Sequence, residues 1–156
     1  MKITTNFYEF KNALEKVEKL NISKPTLKII ENLHINAEGN KLTLTKTILD
    51  TQIQAVISAN VEIQGQVLIP ASTLKIIKNI KTGDYITKTD KEIKIDKKII
   101  KFKSIDISDY PNVITNAYVK KFEVTEKELA RLLTCKYAVA KNDVRPILQG
   151  ILICDN

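Results

Sequence analysis

The chain has 156 residues, 44% of them hydrophobic and 28% charged, with four glycines and four prolines. This composition excludes disordered and fibrous proteins, and no apolar run reaches the roughly 18 residues that a transmembrane helix requires. We therefore expect a globular, cytoplasmic protein. Its net charge of +7 suits a polyanionic partner, and residues 75–103 hold ten lysines against four acids, although solvated lysines on outer strand faces explain the same pattern.

An amphipathic helix is predicted over residues 6–20. Four apolar residues recur there at spacings of three and four, the period of one helix face: Phe7, Phe10, Leu14 and Val17. Asn6 precedes them and is a typical helix cap. Three short runs after the helix are predicted strands: residues 28–36, 41–46 and 49–57. Leu42 and Leu44 alternate with polar residues and are expected to face one side of a sheet.

The same order of elements then occurs again. Residues 67–69 predict a strand, and Pro70 opens a helix that continues to about residue 79, because proline is well tolerated where a helix begins. Three more strand-like runs follow: residues 84–89, 92–96 and 99–103. Residues 1–57 and 66–103 are thus each a strand, a helix and three strands. Two such units predict an α+β domain of two sheets backed by two helices.

A further copy of this pattern starts after a loop that contains Asp109-Tyr110-Pro111-Asn112. Residues 122–124 predict a strand, and Thr125 with Glu128 forms a capping box for a helix. The expected apolar face of this helix consists of four residues: Leu129, Leu132, Leu133 and Cys135. Residues 142–146 break the helix, and residues 147–154 predict another strand.

The start of this copy matches the start of the chain at an offset of 118, where Lys28-Ile29-Ile30-Glu31-Asn32-Leu33 corresponds to Pro146-Ile147-Leu148-Gln149-Gly150-Ile151. We therefore expect a first domain over residues 1–120 and the beginning of a second, incomplete one over residues 121–156. A chain that ends inside its own repeat is expected to be part of a longer protein.

Residues with catalytic or metal-binding chemistry form no recognised pattern. His34, the single histidine, lies in an apolar strand and is expected to be structural. Cys135 and Cys154 are too few and too far apart for a zinc site and are expected to be buried free thiols. The glycines are isolated, which excludes a phosphate-binding loop, and Asp106 and Asp109 are explained by loop solvation. The sequence favours a protein without catalytic activity, cofactor or metal.

Five segments together resemble the beta sliding clamp of bacterial DNA polymerase III. They follow the order and spacing of that family over the whole chain: residues 24–33, 42–45, 67–71, 109–112 and 143–151. The most specific segment is the last, Asp-Val-Arg-Pro-Ile-Leu-Gln-Gly-Ile. The resemblance implies three similar domains per chain and two chains closed head to tail, with helices lining the bore and sheets forming the outer wall.

Such a ring holds duplex DNA without reading its sequence and keeps a polymerase near its template. The implied partners are therefore double-stranded DNA, DNA polymerase and clamp-loader subunits, and a second copy of the chain. The alternative is a short clamp-like interaction module that binds a clamp, a clamp loader or itself without encircling DNA. A reading frame that continues past Asn156 into further domains favours the ring, and a stop codon there favours the module.

The resemblance also implies roles for individual DNA-contacting residues. Lys24 stands where the family commonly has a basic residue, and Asn142 stands where it has a polar one. The alternatives are an ordinary loop lysine and a helix-ending asparagine. Ser72 replaces an arginine of some relatives, which weakens that contact, but Lys75 and Lys78 on the same helix offer charge. Pro146 and Ile147 replace aromatic residues that touch single-stranded template, so base stacking is not expected.

Two further residues are implied in protein contacts. Leu148 corresponds to a wall of the hydrophobic pocket that accepts a peptide from polymerases and clamp loaders. Phe102 corresponds to a position near the subunit interface of the ring. For both residues the alternative is packing in the core of their own domain.

Overall fold

The computed structural model describes residues 1–20, 27–48, 51–89, 91–103, 105–111, 123–141 and 143–152. The chain divides into two compact units, Met1–Ile114 and Thr115–Asn156. Within its described residues, the first unit has the following order of elements: β1 Lys2–Asn6, α1 Phe7–Val17, a 3-10 helix Lys28–Glu31, β2 Leu33–Glu38, β3 Lys41–Ile48, β4 Thr51–Ser58, β5 Asn60–Ile63, β6 Gly65–Ile69, α2 Ala71–Asn79, β7 Tyr85–Lys88, β8 Glu92–Ile95 and β9 Lys98–Lys101.

The strands form two antiparallel sheets, which we call sheet A and sheet B. Sheet A has the order β5-β1-β7-β8-β9, and sheet B has the order β4-β3-β2-β6. The first strand of each half lies in the sheet that the other half mainly forms. Strand β1 lies in sheet A beside β7, and β6 lies in sheet B beside β2. Thus Asn6 of β1 pairs with Tyr85 of β7, and Ile69 of β6 pairs with Leu33 of β2. Because of this exchange, neither half completes a sheet without the other.

The predicted helix stripe forms the centre of the core. Its four apolar residues are all 2% exposed or less: Phe7, Phe10, Leu14 and Val17. Leu42 and Leu44 are fully buried on β3, as the alternation predicted. Helix α1 contacts β3 and β4 in sheet B and β1 and β7 in sheet A. The prediction of two strand-helix-three-strand units, with two sheets backed by two helices, is confirmed.

The cap at the start of α1 is also confirmed. The Asn6 side chain accepts hydrogen bonds from the backbone N–H groups of Tyr8 and Glu9, at 2.9 and 3.1 Å. The Phe7 N–H donates instead to the carbonyl of Asp84, at 3.0 Å. The first backbone donors of the helix, which have no partner inside it, are therefore satisfied by the Asn6 side chain and by the Asp84 carbonyl.

Two details of the first unit differ from the prediction. Residues 28–31 form a 3-10 helix instead of the start of a strand, and β2 begins only at Leu33. The run is apolar without strict alternation, so its sequence does not distinguish a strand from a short helix. Strand β5 was not predicted. It is four residues long at the edge of sheet A, where Ile63 is 58% exposed, so burial imposes little alternation on it.

In the second unit, α3 spans Glu126–Cys135, and 3-10 helices follow at Lys136–Ala138 and Pro146–Gln149. The capping box is confirmed. The Thr125 N–H donates to the Glu128 carboxylate at 2.8 Å, and the Glu128 N–H donates to the Thr125 hydroxyl at 3.4 Å. The Thr125 hydroxyl also donates to the Glu128 carboxylate at 2.7 Å, and this bond together with the one from the Thr125 N–H holds the pKa of Glu128 below its usual value.

The strands predicted for this unit are wrong where the structure describes them. Residues 123–125 have no strand pairing, and residues 146–149 form a 3-10 helix. This helix lies 118 positions after the one at residues 28–31, so the internal repeat is present even though its first element was assigned wrongly. Residues 153–156, at the end of the predicted strand, lie outside the described residues.

Cys135 is exposed, and the expectation of a buried thiol is wrong for it. The cause is local, because no residue of α3 is buried among the described residues. Cys154 lies outside them. None of the helices in the described ranges is long and apolar enough to cross a membrane.

Candidate nucleic-acid interface

Helix α2 presents a basic face to solvent. Thr73, Leu74 and Ile77 are buried, whereas the opposite side is exposed and carries three residues that we call the α2 face: Ser72, Lys75 and Lys78. These residues recur every three positions, so they are neighbours on the helix surface. The helix has no acidic residue, and Lys81 is exposed two positions beyond its end.

Helix α1 is joined to α2 by two contacts. The Lys11 ammonium donates a hydrogen bond to the carbonyl of Ile80, the C-cap of α2, at 2.9 Å. A cation is favourable there because the last carbonyls of a helix carry partial negative charge. Lys78 of α2 forms an ion pair with Glu18, the C-cap of α1. These two contacts place the exposed sides of the helices on a common surface.

The charge on this surface is mixed on α1 and positive on α2. Exposed residues of α1 include Glu9, Glu15 and Lys16. On the α2 side, Lys78 is compensated by Glu18, whereas Lys75 and Lys81 form no ion pair with another described residue. The described part of this surface therefore offers a few separated positive charges and no dense basic cluster, which suits loose contact with a polyanion better than tight binding.

A second candidate site is a polar cavity of about 460 Å³ on sheet B. Residues 107–111 cover the ends of side chains from all four strands of that sheet. The lining residues are uncharged: His34, Asn36, Thr43, Thr45, Gln54, Gln66, Ile107, Ser108, Tyr110 and Pro111. Tyr110 is 7% exposed, its hydroxyl lies 3.5 Å from the Thr45 carbonyl, and burial raises its pKa to about 12.

His34 forms part of this cavity and is buried, as expected of a structural histidine. Its Nε2 lies 3.2 Å from the Gln66 side-chain oxygen, while its Nδ1 is buried without a hydrogen-bond partner among the described residues. The His34 ring also stacks on Tyr110 of the segment that covers the sheet. No three metal-ligating side chains come together in the described parts of the chain.

The two predicted site residues of the first unit that the structure describes, Ser72 and Phe102, belong to different elements. Ser72 is exposed near the start of α2. Phe102 is half-buried just after β9, where its ring packs against the core and lies 5.4 Å from the Lys88 ammonium. This position agrees with the packing alternative and leaves an interface role open. Lys24 lies outside the described residues.

Three predicted residues of the second unit share one 3-10 turn. Pro146 begins it, and Ile147 and Leu148 follow, 84% and 41% exposed. Leu148 is therefore neither in a strand nor buried within the described part of its unit. Asn142 lies outside that part.

The turn is organised by the residues just before it. The Asp143 carboxylate accepts hydrogen bonds from the Arg145 backbone N–H and Nε, at 2.9 and 3.0 Å, and Arg145 holds the pKa of Asp143 below its usual value. The Gln149 amide donates to the Asp143 carbonyl at 2.6 Å. The Asp-Val-Arg-Pro segment thus forms a turn closed by its own side chains.

Sequence reasoning identified Lys75 and Lys78 but missed Lys11 and Glu18 as parts of the same surface. The spacing of Lys75 and Lys78 within one predicted helix is a local signal. The pairing of Glu18 with Lys78 joins residues 60 positions apart, and no local pattern indicates it.

The comparisons with known proteins agree on one family. A model of the N-terminal domain of the DNA polymerase III beta subunit matches residues 1–114. The chain is 25% identical to the beta sliding clamp of Caulobacter vibrioides, over 98% of its own length and 43% of that protein. It is also 25% identical to the beta sliding clamp of Pseudomonas aeruginosa, over 83% and 37%.

Solved structures show the same fold. The DNA polymerase III subunit beta from Pseudomonas aeruginosa has a TM-score of 0.85 at 23% identity, over 96% of this chain and 43% of that one. The DNA polymerase sliding clamp from Caulobacter crescentus has a TM-score of 0.84 at 25% identity, over the same shares. The chain thus spans about two fifths of the length of these relatives.

Proposed function

Because the chain belongs to the DNA polymerase III beta subunit family, we propose that it acts in a DNA sliding clamp, which encircles duplex DNA and tethers the replicative polymerase. The family match over the whole first unit carries this proposal. Tethering acts by topology: a polymerase bound to a ring stays at high effective concentration near its template. The ring itself, its DNA and its partners are parts of the proposal.

The surface shared by α1 and α2 is the side that we assign to DNA. A sliding ring needs sparse contacts to phosphates, because contacts to base edges would stop it at particular sequences. Lys75 and Lys81 supply separated charges, and Ser72 offers a hydroxyl. Such contacts carry no sequence information and weaken as salt rises.

We assign further DNA contacts by family resemblance. Lys24 and Asn142 are proposed to touch the duplex, and the turn at Pro146 and Ile147 is proposed to approach single-stranded template. The 84% exposure of Ile147 leaves it accessible to a strand, without the aromatic ring that stacking requires.

Protein partners are assigned in the same way. Leu148 is proposed to form one wall of a pocket for a peptide of the polymerase or clamp loader, and its 41% exposure supports an accessible position. Phe102, at the end of edge strand β9, is proposed to lie near the interface with a second copy. We propose no catalytic role for this chain, because synthesis belongs to the tethered polymerase, and we place its action in the cytoplasm with the chromosome.

The decisive experiment measures retention on circular DNA. The protein encoded by the natural gene is loaded onto a nicked plasmid with clamp loader and ATP, and free protein is removed by gel filtration. Linearising the plasmid is expected to release the protein, because a ring slides off an end. Protein that stays bound after the plasmid is linearised contradicts the clamp. Absence of loading favours an interaction module that does not encircle DNA.

A further inference from the structure

Lys78 is the lysine of the α2 face that a carboxylate already holds. It forms an ion pair with Glu18, and the two side chains are 39% and 16% exposed, respectively. Because Glu18 is largely withdrawn from water, solvent and salt screen this pair less than a fully exposed one. Lys78 therefore adds little net charge to the face while the pair is closed.

Glu18 occupies a position where its own helix does not favour a carboxylate. It is the C-cap of α1, and its N–H donates to the carbonyls of Leu14 and Lys16. Aligned peptide dipoles make this end of a helix negative, so an acidic side chain there is repelled. The ion pair with Lys78 offsets that repulsion and links the end of α1 to α2.

We propose that Glu18 limits how strongly the α2 face holds DNA, by withholding Lys78 from the phosphates. This inference rests on the proposed function. A phosphate that binds Lys78 must displace the Glu18 carboxylate, so the carboxylate acts as an internal competitor. Each lysine that engages a phosphate adds a counterion-release contribution to affinity. Sliding requires weak, exchangeable contacts, so fewer engaged lysines favour it.

The test measures the affinity of the 156-residue chain for a short mixed-sequence duplex by fluorescence anisotropy, between about 50 and 200 mM salt. Glu18→Gln is expected to raise affinity about threefold at low salt. It is also expected to steepen the dependence of log affinity on log salt by about 0.9, the value for one added phosphate contact. Glu18→Ala should give the same result if the glutamine variant folds poorly.

Matched variants separate the pair from total charge. Glu15→Gln raises the net charge by the same amount but leaves the pair closed, so it is expected to change the salt dependence less. In the background of Glu18→Gln, adding Lys78→Gln is expected to restore the wild-type affinity. Lys75→Gln serves as the positive control and is expected to weaken binding in every background.

The outcomes distinguish this inference from the proposed function. If Lys75→Gln weakens binding but Glu18→Gln changes nothing, or equals Glu15→Gln, the role of Glu18 is wrong and DNA binding by the α2 face stands. If the wild-type chain binds no duplex, or binds it independently of Lys75, the assignment of this surface to DNA fails and the inference fails with it.

Discussion

The imidazole of His34 stacks on the phenol ring of Tyr110, with 5.3 Å between the ring centroids and 27° between the planes. The Gln66 side-chain oxygen accepts from Nε2, which leaves Nδ1 as an acceptor that has no partner in the described structure. The cavity around the pair is lined by uncharged residues. A proton on Nδ1 would thus create a buried cation that no carboxylate among the described lining residues balances.

We expect this pair to make the protein less stable in mild acid. Burial lowers the pKa of His34 below its ordinary value of 6.5, and the hydrogen bond to Gln66 opposes this only in part. The unfolded chain therefore takes up a proton at higher pH than the folded chain. Stability should fall as the pH drops through about 6.5, by at most about 1.4 kcal/mol per pH unit.

Urea unfolding between about pH 7.5 and 5.5 measures this loss. His34 is the only histidine of the chain, so His34→Gln, which retains hydrogen-bonding groups but does not titrate, should flatten the profile. The protection factors of the amides of residues 105–111, corrected for the slower intrinsic exchange at low pH, should fall in acid in the wild type alone. An equal slope in the variant would mean that other groups cause the loss.

Gly83 is predicted to tolerate no side chain. A Cβ at this position would lie 2.6 Å from Ile95 Cγ2 and 3.2 Å from the Phe7 ring, and both neighbours are buried. Gly83→Ala is expected to lower the free energy of unfolding by about 1–3 kcal/mol, because the core must shift to admit a methyl group. Thermal unfolding by circular dichroism measures the change.

Gly150→Ala is the matched control for this substitution. Gly150 is exposed, and a Cβ there meets nothing within 4 Å. The melting temperature of Gly150→Ala should therefore stay close to that of the wild type. Equal melting of Gly83→Ala and the wild type would show that the core around Phe7 and Ile95 has room for a methyl group, which contradicts the prediction.

Residues whose burial is decided within one element were predictable from the sequence. The spacing of Phe7 and Phe10 indicates a helix face whatever lies opposite, and the alternation of Leu42 and Leu44 indicates a strand face. The Asn6 cap needs only its own helix. Lys75 and Lys78 belong to the same class, because their helix spacing alone places them on one side of α2.

Features that depend on distant partners were not predictable. Strand β5 exists because its backbone pairs with β1, and its side chains show little of that pairing. Residues 28–31 and 146–149 each contain two adjacent apolar residues, which suit a strand or a tight helical turn equally well. Glu18 belongs to the candidate site only because the fold brings α1 beside α2.

The position of Ser72 predicts that DNA binding can be strengthened by one substitution. Ser72 is exposed on the α2 face, at a position that the family resemblance matches to an arginine of some relatives. Ser72→Arg is expected to raise affinity for a short duplex about threefold at low salt and to steepen its salt dependence by about 0.9. Anisotropy titrations of the 156-residue chain measure both changes.

Ser108→Arg controls for the added charge. Ser108 is exposed beside the cavity on sheet B, and it is not part of the α2 face. If binding is local to α2, this variant should bind DNA much as the wild type does. If both variants raise the affinity equally, DNA binding depends only on the net charge of the protein.

The second unit predicts self-association of the chain. Leu129 and Leu133 lie one turn apart on α3 and are 51% and 59% exposed, and exposed apolar faces of this kind promote association. Leu133→Glu is expected to weaken self-association by at least about tenfold, since burying one leucine contributes about 1.5–3 kcal/mol. Sedimentation equilibrium over a range of concentrations measures this.

Ala130→Glu adds the same charge to an exposed position of the same helix and should leave association nearly unchanged. Deleting residues 122–156 should leave a first domain that is monomeric, because its apolar helix face is already covered by its own sheets. A wild-type chain that stays monomeric at all concentrations contradicts the prediction. A shortened chain that is insoluble would instead show that the domain boundary lies elsewhere than near residue 120.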